Sequence, residues 1–297
     1  MNRRDAIKQM GLIAGGMMLS AMPISFSSCS RMKKRIILYY TATGNSLYVA
    51  RQLADDNTEL LSIPQLIKEN RYDIEADEIG LVYPVYGHMP PGLVWKYLEK
   101  SNLTAPYKFA VATYGNRKCN AVEILDDIAR KNGKTFDYIA TIVMVDNWLP
   151  NFDMNEQMKI DKKIPENLTR IKSELAEQMH WHEPVTEEDR QIHNDFMKQS
   201  GRTAPFVQRS EEEFVIHDNC IECGICTHVC PKGNYAITSE GIKTHGDCDF
   251  CFACIQNCPQ KAIGFARITE VNPNARYRNQ HISVMDIKRA NDQLPLM

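Results

Sequence analysis

Eight of the chain's ten cysteines fall into two runs, CIECGICTHVCP from Cys220 to Pro231 and CDFCFACIQNCP from Cys248 to Pro259, the second repeating the first 28 residues later. Thiols this dense could do three things. As disulfides they would close loops of two residues and staple little beyond themselves. As zinc ligands they would normally come as CxxC pairs with a longer spacer, two cysteines to a knuckle. As ligands to iron–sulfur clusters, three cysteines on a tight loop each reach one iron of a cubane, and a fourth arrives from elsewhere. The spacing CxxCxxCxxxCP favours the last chemistry. The closing proline turns the chain away and contributes no N–H donor.

The segments Phe214–Ile237 and Ile242–Phe265 form an internal repeat and resemble the two halves of a bacterial-type ferredoxin, the first longer by two residues after its last cysteine. The resemblance implies that the fourth cysteine of each run serves the other cluster. One [4Fe–4S] cluster would then sit on Cys220, Cys223, Cys226 and Cys258. The other would sit on Cys248, Cys251, Cys254 and Cys230. Crossed ligation forces the clusters close together, which suits electron transfer between them.

A second stretch with chemical potential is TATGNS, Thr41 to Ser46. It follows the β-branched apolar run RIILYY and precedes apolar residues at helical spacing, Leu47, Val49, Ala50 and Leu53. A strand that ends in a polar glycine turn at a helix start offers backbone N–H groups and hydroxyls to an anion, and the helix dipole favours the charge. The turn lacks the lysine of a nucleotide P-loop, so ATP and GTP are disfavoured.

Further strands are expected at Glu59–Ile63, Ile79–Tyr83, Lys108–Thr113 and Ile139–Val145, with helices at Pro64–Glu69, Pro91–Lys100, Ala121–Lys131 and Asn155–Glu177. Strands alternating with helices predict an α/β fold, a doubly wound five-stranded parallel sheet with helices on both faces. A smaller α+β ferredoxin-like domain would follow. YYTATGNS resembles the flavodoxin phosphate loop, which implies FMN. Thr41, Ala42, Thr43, Gly44, Asn45 and Ser46 would then hold its phosphate. The ring would lie at the carboxyl ends of the strands, against Pro84, Val85, Tyr86 and Gly87 after the third strand and Thr113, Tyr114, Gly115 and Asn116 after the fourth. Tyr86 and Tyr114 are candidates for stacking on it. His88 is expected as a structural or peripheral group, and Asn147 and Trp148 as flavin neighbours.

The first 29 residues read as an export signal: a short basic start, an apolar stretch Met10–Ile24 and a small-residue exit. Arg3-Arg4 resembles a twin-arginine motif, and Cys29 after Ser27-Ser28 resembles a lipidation site, giving a periplasmic or membrane-anchored protein. A cytoplasmic protein with an uncleaved apolar start is the alternative. The expected organisation is a signal at 1–29, a flavodoxin-like domain at 34–180, a linker at 181–213, a two-cluster ferredoxin domain at 214–265 and a tail at 266–297.

The resemblance to flavodoxin-domain proteins with a C-terminal two-cluster ferredoxin domain covers Lys34 to about Ser283 and implies electron transfer; an electron carrier whose partner is a redox protein or a quinone-like acceptor is the favoured expectation. An FMN-dependent reductase of a small molecule such as a quinone is the alternative. No pyridine-nucleotide fingerprint is present. A net charge of −2 argues against nucleic acid as a general partner. His180, His182 and Glu183 could bind a metal but read better as solvated linker, and Cys119 reads as a structural thiol.

Overall fold

The computed structural model describes residues 34–200 and 213–294; the expected export segment and Cys29 lie outside them. The first strand, β1 (Arg35–Tyr39), runs into the helix α1 (Asn45–Leu53) through the glycine turn. Then come β2 (Thr58–Ser62), α2 (Ile63–Lys68), β3 (Glu78–Pro84), α3 (Gly92–Lys100), β4 (Tyr107–Tyr114), α4 (Ala121–Lys131) and β5 (Tyr138–Val143). The strands pair in parallel in the order β2-β1-β3-β4-β5. That is the flavodoxin-like order, whose reversal point lies between β1 and β3.

Alternate residues of each strand feed two separate cores. Ile37, Tyr39, Val111 and Ile142 pack with Leu47 and Leu53 of α1 on one face. Ile36, Leu38, Leu81 and Ala112 pack with Val94, Leu98 and Leu125 of α3 and α4 on the other. Both faces are covered, so β1 and β3 are apolar almost throughout rather than alternating.

Three features differ from the sequence expectation. A sixth, two-residue strand, β6 (Trp181–His182), adds in parallel to β5 at the sheet edge, so the stretch expected as linker begins inside the domain. The helix expected over Asn155–Glu177 is two helices, α5 (Met154–Gln157) and α6 (Ile164–Ala176), with Lys163 at φ 50° between them. Pro165 stands in the first turn of α6, where its missing N–H costs nothing, and it could not have sat in mid-helix. A further helix, α7 (Glu187–Ser200), follows β6.

In the cysteine-rich segment, β7 (Phe214–Ile216) pairs antiparallel with β10 (Ile263–Phe265) and joins the two ends of the repeat. Between them lie α8 (Ile225–Val229), the hairpin β8 (Tyr235–Thr238) and β9 (Gly241–Thr244), and α9 (Ala253–Asn257). The chain then returns across the sheet domain and ends in α10 (Val284–Asn291), whose N-terminus is closed by a Ser283–Asp286 capping box. Sheet and cysteine-rich segment fall in one compact unit. Residues 266–294 therefore pack against both. Arg276 forms a buried pair with Glu270 at 2.6 Å, and Arg51 of α1 meets Asp286 at 2.6 Å.

Candidate electron-transfer site

The carboxyl ends of β1, β3, β4 and β5 open into one cavity of about 270 Å³. The glycine turn forms its floor through Thr41, Ala42, Thr43, Asn45 and Ser46, while Gly44 packs beneath. Gly44 has φ 97°, and a Cβ there would lie 2.9 Å from the Cβ of Ile282, so both backbone angle and space demand glycine. The turn's hydroxyls are poised to donate. Thr41 Oγ1 accepts from Gly44 N at 3.1 Å and Thr43 Oγ1 accepts from Asn147 Nδ2 at 3.0 Å. With those acceptor positions used, each O–H is left for an incoming acceptor. The start of α1 adds N–H groups with no intrahelical partner.

The loop after β3 contributes Pro84, Val85, Tyr86, Gly87 and His88 to the walls, and the loop after β4 contributes Thr113, Tyr114, Gly115, Asn116 and Arg117. Tyr86 is edge-on to Tyr40 at 6.3 Å, and its hydroxyl is buried with no hydrogen-bond partner among the described residues. Asn147 and Trp148 line the cavity as well. His88 packs against Phe196 and His193 of α7, with centroids at 4.9 and 5.6 Å. Burial pushes its imidazole down to about 4, with His193 and Arg117 adding to the effect.

Four wall residues carry no local signal in the sequence. Phe196 comes from α7, and Asp249, Phe250 and Phe252 come from the second cysteine run. Trp148 stacks on Phe252, and Leu93 N, at the start of α3, donates to Asp249 Oδ2 at 3.1 Å. The Asp249 carboxylate is also paired with Lys232 at 3.3 Å, both side chains nearly inaccessible. Burial raises the Asp249 pKa, and the Lys232 ammonium opposes that.

The eight cysteines gather around two further cavities. Cys220, Cys223, Cys226 and Cys258 line one; Cys230, Cys248, Cys251 and Cys254 line the other. The last cysteine of each run thus stands with the first three of the opposite run. Burial pushes the Cys226 thiol up to about 12, with Cys220, Cys258 and Cys223 reinforcing it. Such thiols ionise only when a cation takes the charge, so metal loading releases protons. Among the described residues no three His, Cys, Asp or Glu side chains converge on a site for a single ion. Backbone N–H groups of Asn234, Phe250 and Ala262 point at the sulfurs of Cys230, Cys248 and Cys258 at 3.2–3.3 Å, and the Tyr235 hydroxyl points at Cys254 at 3.2 Å. Bonds of this kind tune a cluster's potential.

The two cysteine cavities differ in setting. Cys223 is exposed, with Ile221 beside it also open to solvent. Cys251 and Cys254 are buried, and Cys251 lies beside Tyr40 and Tyr86. The remaining candidates are occupied otherwise. His182 Nε2 bonds Phe136 O at 2.8 Å, and Glu183 accepts from Thr141 and pairs with Lys118. Cys119 is buried, and burial raises its pKa.

Parts of the chain are similar to known proteins. Residues 214–259 match the 4Fe–4S dicluster domain family. Pyruvate synthase subunit PorD of Methanothermobacter marburgensis is 36% identical over 59 residues, which is 20% of this chain and 70% of that protein. Among solved structures, a flavoprotein in complex with FMN from Lactobacillus acidophilus NCFM aligns over 37% of this chain and 93% of its own at 17% identity, with a TM-score of 0.27. A Streptococcus pneumoniae TIGR4 flavodoxin aligns over 49% of this chain and 99% of its own at 16% identity, with a TM-score of 0.33. At these scores the strand order, rather than the likeness, carries the fold. Through residues 214–259 the chain belongs to the 4Fe–4S dicluster domain family, and it carries that domain behind a sheet of flavodoxin-like strand order.

Proposed function

We propose that this protein carries electrons one at a time between its two [4Fe–4S] clusters and an FMN held at the carboxyl edge of the sheet. The observation that carries the reading is a shared loop. Cys248 and Cys251 face one cysteine cavity, while Asp249, Phe250 and Phe252 wall the large cavity over the glycine turn. When bound, the clusters pass single electrons and the flavin takes up one or two. The chain's part is to hold, orient and shield. Thr41, Thr43 and the start of α1 offer donors to a phosphate, Tyr86 and Tyr114 flank the ring's place, and Trp148, Phe250 and Phe252 exclude water between it and the cysteines.

In this reading the cluster on Cys248, Cys251, Cys254 and Cys230 is the flavin's neighbour. The cluster on Cys220, Cys223, Cys226 and Cys258 is the port to a redox protein, because the exposed Cys223 belongs to it. Anaerobic purification followed by iron, sulfide and flavin counts tests the assignment: about eight irons and one FMN per chain are expected. Clusters without flavin overturn it.

A second reading, an FMN-dependent reductase of a small molecule such as a quinone, draws on the extent of the cavity. It continues past the ring loops to Arg117, Asn151 and Phe196, which could receive another molecule. Reoxidation of the flavin by a quinone with no protein partner present distinguishes the two. We also place the protein outside the cytoplasm, exported through Arg3-Arg4 and lipidated at Cys29. The mass of the chain recovered from membranes tests this, and a chain retaining Met1 refutes it.

A further inference from the structure

Three consecutive carbonyls of the glycine turn are tied down from the far end of the chain. Asn291 Nδ2 donates to Thr41 O at 2.9 Å, Asn257 Nδ2 donates to Ala42 O at 3.4 Å, and Asn279 N donates to Thr43 O at 2.8 Å. A trans peptide sets each C=O antiparallel to the N–H of the next residue. Holding the carbonyls of Thr41 and Ala42 toward the protein therefore turns the N–H groups of Ala42 and Thr43 the opposite way, and both residues line the cavity. With a carbonyl flipped outward, the same turn would present an oxygen to an anion and repel it.

The two amides act in a deeply buried setting. Asn291 is inaccessible, and its Nδ2 also donates to Val229 O at 3.0 Å; Asn257 Nδ2 also donates to Ala253 O at 2.9 Å. In each the Oδ1 is buried with no partner among the described residues. A buried amide acceptor left bare is costly, so these positions favour two N–H donors on one atom over a fully satisfied group. Alanine, leucine and aspartate cannot supply both. Val229 immediately precedes Cys230, and Asn257 immediately precedes Cys258, so each amide joins the turn to the backbone beside a cysteine that crosses between the two runs. Tyr277 reinforces the arrangement: its hydroxyl donates to Asn45 Oδ1 at 2.5 Å, and its N–H donates to Gln256 Oε1 at 2.7 Å.

We infer that Asn291 and Asn257 are positioning residues for the phosphate of FMN, so that the ferredoxin domain and the C-terminal segment complete a phosphate site that the flavodoxin-like domain alone leaves unset. This rests on the reading of the cavity as an FMN site. It is tested on the full chain, cluster-loaded and freed of flavin, titrated separately with FMN and with riboflavin. The wild-type chain binds FMN more tightly than riboflavin. In Asn291→Ala the dissociation constant for FMN rises about tenfold or more, while that for riboflavin moves by less than about twofold. Asn257→Ser gives the same pattern and serves where N291A does not fold; iron content and far-ultraviolet circular dichroism show which variants do. Equal weakening of both ligands, or unchanged FMN binding in a folded variant, overturns the positioning role. A wild-type chain that binds neither ligand, or shows no preference for FMN, overturns instead the reading on which it rests.

Discussion

Trp148 and Phe252 stack with ring centroids 5.2 Å apart and planes 29° apart, joining the loop after β5 to the loop that carries Cys251 and leads into α9. Phe252 holds a left-handed backbone, φ 62°, and its counterpart in the first half of the repeat is Gly224, φ 73°. The same holds for Phe250, φ 55°, and Glu222, φ 52°. Both halves keep the backbone shape, but only the half that walls the large cavity has aromatic side chains at those positions. Left-handed strain on a phenylalanine costs on the order of 1–3 kcal/mol, which its contacts with Trp148, Phe214 and Phe265 must offset.

Replacing Phe252 separates strain from contact. Phe252→Ala is expected to lose about 3 kcal/mol of stability through the vacated space. Phe252→Gly removes the same ring but relieves the backbone, so it should be about 1 kcal/mol more stable than the alanine variant. Urea unfolding under anaerobic conditions measures both. An alanine variant as stable as the glycine one would contradict the strain argument.

The Lys232–Asp249 pair is almost wholly buried, so removing one partner leaves an uncompensated charge beside the large cavity. Lys232→Met is expected to cost about 3–5 kcal/mol, and adding Asp249→Asn should recover most of it. A double variant no more stable than K232M alone would show that the loss arises from packing and not from the stranded carboxylate.

His88 gives a pH signature. Its native pKa is held near 4 by burial, below the value of about 6.5 expected in the unfolded chain. Between those two values the unfolded chain binds a proton that the native one refuses, so stability falls as pH is lowered through that window. His193, whose pKa burial also lowers, adds in the same direction. Asparagine tolerates the left-handed backbone at residue 88, φ 68°. His88→Asn should therefore fold and show a shallower loss of stability between about pH 6.5 and pH 4. An unchanged slope in denaturant titrations would assign the proton elsewhere.

Cysteine exchange distinguishes the two clusters. If the flavin neighbours the cluster on Cys248, Cys251, Cys254 and Cys230, then Cys230→Ser should lose about four irons and the magnetic interaction between cluster and flavin. Cys258→Ser should lose a similar amount of iron but keep that interaction. Electron paramagnetic resonance of the partly reduced protein reads the difference, and the reverse pattern would exchange the two assignments.

Much of this was readable in one dimension because its signals are local. The cysteine spacing lies within two short loops, and the glycine turn is announced by the strand before it and the helix after it. The five long strands are apolar runs bounded by polar turns. Pro165 marked the break between α5 and α6, and the periodicity on either side masked it. The wall formed by Asp249, Phe250 and Phe252 was not legible, because Asp249 meets Leu93 across 156 positions of chain and nothing near it names the partner. Trp181–His182 is too short to show a period of two. In α7 no residue is fully buried, so its sequence reads as solvated linker although Phe196 faces the cavity. The asparagines after residue 256 look like ordinary loop polarity until the fold brings them under the turn.

The ties on Thr41 and Ala42 come from residues 250 and 215 positions further along. At ribosomal speeds of roughly 5–20 residues per second, the turn emerges about 10–50 s before its last donor has been made. A nascent chain halted after β5 would already contain the sheet's long strands and the glycine, yet Thr41 and Ala42 would have none of these amides to brace them. If that turn holds the FMN phosphate, flavin acquisition is thus expected to wait until Asn257 and Asn291 have been translated.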